Sequence, residues 1–149
     1  MKIYNHIIDN NIKEFLDSAP RYKMMVIEEE KNHDEPLALN IGYELSMIIQ
    51  NLNRQSHYFQ MQVQDELMKI VTKHKMHDEE FGDYLIISNL GILFEPELKL
   101  NVCDVLKRIS QNTLLILLWS GVILPDRLCN ISEQSEYNIK RSEINYEIL

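Results

Sequence analysis

The sequence predicts an α/β domain built on a small, mainly parallel four-stranded sheet with flanking helices. Three observations predict it. Tyr84-Leu-Ile-Ile-Ser88 is apolar or small on both faces and follows an acidic, glycine-containing turn, as a strand covered on both sides does. Leu114-Leu-Ile-Leu-Leu-Trp119 is apolar without alternation, the pattern of an interior parallel strand. Between and before these runs, apolar residues recur at spacings of three and four, so helices separate the strands.

The totals set the frame. A chain of 149 residues fits one domain with a real core. It divides into an N-terminal helix (residues 1–19), a sheet core (20–124) and a polar C-terminal tail (125–149). A formal charge of -8 and a pI near 5.1 are opposite to the basic footprint of a protein that grips phosphates unaided, so autonomous nucleic-acid binding is not expected. Cys103 and Cys129 lack C-x-x-C spacing and sit among apolar residues, as reduced thiols in a cytosolic core do. No run reaches the roughly 18 apolar residues of a membrane span, and the N-terminus lacks a signal-peptide pattern. A soluble, cytoplasmic protein without a membrane partner is the expectation.

In chain order, Ile3, Ile7, Ile8, Ile12, Phe15 and Leu16 predict an amphipathic helix over residues 3–17, ending before Pro20. Tyr22 to Ile27 reads as the first core strand. It runs into Glu28-Glu-Glu-Lys-Asn-His-Asp-Glu35, and Leu37, Leu39 and Ile41 then alternate as a second strand. Leu45, Ile48, Ile49 and Leu52 predict a helix over residues 43–52, and Phe59, Val63, Leu67, Ile70 and Val71 another over 59–74. Residues 75–82 read as a charged loop. His74, His77, Asp78, Glu79 and Glu80 crowd there, but no H-x-x-x-H or H-E-x-x-H spacing is present, so no metal site is assigned. Asn101 caps a helix carrying Val102, Val105, Leu106 and Ile109 and ending near Asn112. In the tail, a short strand is expected at residues 128–131 and a segment at 137–139, with the last ten residues frayed unless a partner holds them. Trp119 and Tyr43 read as packing residues, and seven methionines suit an adaptable core or a contact surface.

Four groups of residues together carry a resemblance. They are Leu37-Ala-Leu-Asn-Ile-Gly-Tyr-Glu-Leu45, Tyr84 to Pro96 with Leu98-Lys-Leu100, Leu106-Lys-Arg-Ile-Ser110 with Asn112-Thr113, and Trp119-Ser-Gly121 leading to Ser135-Glu-Tyr137. In order and spacing they resemble the small P-loop protein family of type 3 bacteriophage-exclusion (BREX) defence systems, the BrxF-like proteins. The resemblance covers about residues 20–138. It implies a P-loop NTPase-like fold in a bacterial anti-phage defence complex.

The same resemblance marks what is missing. A P-loop needs G-x-x-x-x-G-K-[ST], whose backbone amides and lysine cradle phosphates at a helix N-terminus. The matching segment, Glu28 to Glu35, has no glycine and five acidic residues among its eight, with Lys31 a lone cation. The helix that follows such a loop is absent too. Where the family has an Asp at a strand end and a Glu shortly after, to hold Mg²⁺ and polarise water, this chain has Ser88 and Gly91. Asn89 remains, and a neutral amide orients but does not activate water. Glu95 lies beyond an apolar turn. The site region Glu28, Lys31, Ser88, Asn89 and Gly91 therefore reads as degenerate: no catalytic residue, cofactor-binding residue, cofactor or metal is assigned.

If the strand order follows the P-loop pattern, the first and second strands are three spacings apart, about 14 Å, which an extended eight-residue loop reaching about 26 Å spans. The sheet face left bare is then covered by the N-terminal helix or by another subunit. The alternative topology is a hairpin of residues 22–41 and a mixed sheet.

The leading expectation is a non-catalytic subunit working through contacts with other proteins of a defence complex or with its own copies. A second reading is a weak nucleotide or nucleic-acid sensor using Asn89, Ser120, Lys140 and Arg141. A third is a hydrolase using His33, His57 or His77; no nucleophile with a spaced base and an oxyanion glycine pattern accompanies these histidines.

Overall fold

The strand residues that lack alternation divide cleanly between two faces of one sheet. A computed structural model describes residues 6–29 and 38–149, with side chains from residue 10 onward. β1 (Met24–Glu28), β4 (Gly82–Ser88) and β5 (Leu114–Trp119) form its centre. Met24, Val26, Leu85, Ile87, Leu115, Leu117 and Trp119 pack in one core. Met25, Ile27, Tyr84, Ile86, Leu114, Ile116 and Leu118 pack in another on the opposite side. A strand covered on both faces has no polar side to alternate with, which is why these runs are apolar throughout.

Helices cover the first face. α2 (Ile41–Ile49) brings Leu45 and Ile49, α3 (Phe59–His74) brings Phe59, Val63, Leu67 and Ile70, and α4 (Val102–Ser110) brings Val105, Leu106 and Ile109. α4 begins where expected, because the Asn101 side chain accepts the Asp104 N–H at 3.1 Å and satisfies one of the free amides of the first turn. The second face carries α1 (His6–Asp17), through Ile12 and Phe15 with Leu16. The N-terminal helix thus packs on this face; the helix expected to be missing after β1 would fall at residues 30–37, outside the described residues. The predicted start of α1, residues 3–5, lies outside the described residues, as do Lys31 and His33.

Three shorter strands extend the sheet: β2 (Leu39–Asn40), β3 (Met76–Asp78) and β9 (Glu147–Ile148). Among the described residues it therefore has six strands, not four, in the order β2-β4-β5-β1-β9, with β3 alongside β4. All pair in parallel except β3, which is antiparallel to β4. The hairpin of residues 22–41 is excluded, since β2 pairs with β4 (Leu39 with Ile87, Asn40 with Ser88). Parallel strands normally require a crossover of a dozen or more residues, because the chain must run back along the sheet. Here β2 is two residues long and sits level with the carboxyl end of β4, and residues 30–37, which join it to β1, lie outside the described residues.

Other boundaries shift for local reasons. β2 stops at Asn40 rather than Ile41 because the Asn40 side chain accepts the Tyr43 N–H at 2.9 Å and starts α2 at Ile41. The segment read as a charged loop over residues 75–82 contains β3. Gly82, at φ 81, supplies the left-handed turn, and Asp78 Oδ2 accepts the backbone N–H groups of Glu80 and Phe81, each at 2.9 Å. After β4, two 3-10 turns (Leu90–Phe94 and Pro96–Leu98) bury Leu90, Leu93 and Leu98.

The tail is structured. β6 (Val122–Ile123), β7 (Arg127–Cys129) and β8 (Asn138–Lys140) form a small antiparallel sheet; β7 and β8 overlap the strand expected at 128–131 and the segment expected at 137–139. The last ten residues are not frayed. Ile144 and Tyr146 are buried, and β9 pairs with β1, where the Leu149 N–H donates to the Val26 carbonyl at 2.8 Å. A polar stretch conceals few apolar residues, and Ile139, Ile144 and Tyr146 among them are spent in the core. Cys103 and Cys129 are both free and buried. Among the described residues, no helix is long and apolar enough to cross a membrane.

Candidate functional site

In open parallel sheets, ligands lie outside the carboxyl ends of the strands, where the connections diverge. That edge here is formed by Glu28 of β1, Asn40 of β2, Ser88 of β4 with Asn89 after it, and Trp119 of β5 with Ser120 after it. Apart from Glu28 and Trp119, its side chains are amides and hydroxyls. Asn89 adopts the left-handed conformation (φ 58, ψ 53), which asparagine tolerates better than most residues. From there its Nδ2 donates to Asn40 Oδ1 at 2.9 Å, the same oxygen that caps α2. Gly42 permits this approach: a Cβ on it would lie 2.4 Å from Asn89 Nδ2 and 2.7 Å from the Asn89 carbonyl oxygen. The amide of Asn89 is therefore engaged in joining the ends of β2 and β4.

Of the residues singled out from the sequence, the structure brings Ser88 and Asn89 to this edge beside Asn40, with Glu28 at the end of β1 opposite Trp119. Gly91 enters the first 3-10 turn, where a Cβ added to it would lie 3.8 Å from Asn130 Oδ1, so no close contact demands glycine. Glu95 is elsewhere. It lines a hollow of about 260 Å³ with Ser46, Gln50, Arg54 and Glu97, in which Arg54 and Glu97 form an ion pair.

The edge above β5 is filled by the protein itself. The Trp119 indole N–H donates to the Cys129 carbonyl at 3.2 Å. Phe94 meets Trp119 edge-on at 6.4 Å between ring centres, and Tyr137 lies against Phe94 at 6.2 Å. A Cβ on Gly121 would fall 2.1 Å from the Cys129 carbonyl oxygen, so the small sheet presses directly on the turn after β5. The void left between Gly91, Ser120, Gly121 and Asn130 is about 10 Å³, no more than a single water needs.

The remaining candidates are separated. His74 Nδ1 lies 2.9 Å from the Ile70 carbonyl, whereas His77 Nδ1 pairs with Asp83 Oδ1 at 2.9 Å on the open surface of the β3–β4 hairpin. Among the described residues, no three His, Cys, Asp or Glu side chains gather as metal ligands. Arg141 lies over the Tyr146 ring at 4.5 Å, and Lys140 is exposed at the end of β8. The pKa of the Cys103 thiol is pushed up to about 12, first by burial and then by the carboxylate of Glu143, so it stays protonated and is no nucleophile at neutral pH.

Sequence reasoning did not assign Asn40, Gly42 or the aromatic contact of Tyr137. Asn40 had a legible signal, a capping residue immediately before an apolar helical stripe. The Phe94–Trp119–Tyr137 contact had none, since it joins three segments distant in the chain.

No family model, curated protein or solved structure matches this chain.

Proposed function

We propose that the chain is a non-catalytic, P-loop-like subunit of a bacterial anti-phage defence complex, acting through contacts with other proteins. The observation that carries the reading is the parallel order β2-β4-β5-β1-β9 combined with a strand-end site of Asn40, Ser88 and Asn89. That order is the one expected if the first and second strands flank the other two central strands as in a P-loop domain. Phosphoryl transfer in such a domain depends almost wholly on amide donors, a lysine and a carboxylate-held Mg²⁺. A hydroxyl and two mutually bonded amides hold no divalent cation in place of those carboxylates. The cap of Trp119, Phe94 and Tyr137 over the end of β5 supports the same reading, because it fills space rather than shaping a nucleotide pocket.

The test is to co-express the chain with the products of its neighbouring genes, measure the mass of what co-purifies, and titrate the same sample with Mg²⁺-ATP. A stable complex with no nucleotide binding is expected. A lone protein that binds Mg²⁺-ATP at micromolar affinity would overturn the proposal in favour of a nucleotide sensor.

A further inference from the structure

Four basic residues meet where β1 begins and α4 ends. Arg21 and Lys23 flank Tyr22 on the way into β1, and Lys107 and Arg108 lie in the last turn of α4. The Lys23 N–H donates to the Ser110 carbonyl at 2.7 Å, so backbone ties the two segments together. Tyr22 is half-buried and packs against the core that α4 covers. The Arg21 guanidinium lies 5.3 Å from the centre of its ring, and the Lys107 ammonium 5.8 Å. An aromatic face attracts a cation, so one anchored ring holds two positive charges close together.

The described part of the chain does not neutralise them. Arg54, Lys69 and Arg127 each form an ion pair with a carboxylate, whereas among the described residues Arg21, Lys23, Lys107 and Arg108 form none. The acids on the neighbouring elements are Asp17 at the end of α1 and Asp104 on α4, and neither pairs with any of the four. Glu143 reaches α4 one turn earlier and is engaged with the Cys103 thiol. On a chain of net charge -8 this is a local cationic patch, held in place before it meets an anion.

Its chemistry selects among anions. A guanidinium lying over a ring keeps its N–H edge free for the two oxygens of a carboxylate. A nucleic acid suits it less well, because phosphates continue at regular spacing beyond so small a patch and over a surface whose remaining charge is strongly negative. A short acidic stretch of polypeptide ends where the patch ends.

We propose that this patch binds an acidic segment of a partner protein, with adjacent carboxylates meeting Arg21 and Lys107, and Lys23 and Arg108 at the flanks. Tyr22 acts as a positioning residue that keeps the two central cations together. The proposal rests on the contact-based function and names the chemistry of one contact. A synthetic peptide tests it, so its failure leaves the co-purification result standing.

The probe is a fluorescently labelled oligoglutamate of about ten residues, titrated with the whole chain and read by anisotropy at low and at physiological salt. Binding at low salt that weakens as salt is raised is expected. Arg21→Glu/Lys107→Glu should weaken it at least about tenfold, whereas Lys73→Glu/Lys75→Glu at the end of α3, with the same change in net charge, should stay within about twofold of wild type. Tyr22→Leu keeps apolar packing without a ring face and should weaken binding severalfold; Tyr22→Phe should not. If melting shows that the first double variant does not fold, Arg21→Gln/Lys107→Gln takes its place with the same expectation. No binding of oligoglutamate, equal losses in the two charge-reversed variants, or a Tyr22→Leu variant that binds like wild type would overturn the proposal. Tighter binding of an oligothymidylate of equal charge would overturn it in favour of a nucleic-acid partner.

Discussion

Asn89 and Gly42 form a matched pair, and each is expected to tolerate little change. Asn89→Ala loses both the left-handed preference and the bond to Asn40, for about 1–2 kcal/mol, whereas Asn89→Gly keeps the backbone geometry and loses less. Gly42→Ala would ordinarily stabilise a helix. Here the added carbon meets the Asn89 backbone as well as its side chain, and a loss of about 1–3 kcal/mol is expected in urea unfolding. Cys103 gives a pH-dependent prediction. Its folded pKa is raised from 9.0 to about 12, so the folded state keeps a proton that the unfolded chain releases. The stability this contributes is present below pH 9 and is lost progressively as the pH rises from there towards 12. Melting temperatures measured across the alkaline range should fall less steeply in Cys103→Ala than in wild type; equal slopes would refute the assignment.

At the scale of elements, α1 covers much of one sheet face, with Met76, Phe81 and Leu149 packed beside it. Phe15→Ala should cost about 3 kcal/mol and increase binding of a hydrophobic dye, by opening the face that holds Ile86 and Ile116. An unchanged melting temperature and no dye binding would show that α1 does not hold that face. The long apolar runs of β4 and β5, the stripes of α2 and α3 and the cap of α4 were legible because each is encoded within one segment. β3, β6 and β9 were not, being two or three residues long and defined by partners elsewhere. β9 in particular depends on β1, more than a hundred positions earlier in the chain. The site was half legible. The absence of glycine from residues 28–35 and of carboxylates at residues 88 and 91 is a property of the sequence, but the Asn40–Asn89 bond requires the pairing of β2 with β4, and the filled edge above β5 requires the small sheet to fold over it.

At the scale of the molecule, the central pairing joins β1 to β5, residues some ninety positions apart, before β9 adds the outer strand. Contacts so distant must await closure of a long loop, which slows folding relative to helical proteins of the same size. Until then Leu114 to Trp119, six apolar residues without a charge, has β4 on one edge only, and its other edge is open to self-pairing. Refolding yield should therefore fall as protein concentration rises, and a peptide of residues 114–119 should lower it further in competition. A yield independent of both would show that β5 is shielded early. The completely apolar strand at the centre of the sheet, which secures the finished fold, is thus the segment through which unfinished chains would stick to one another.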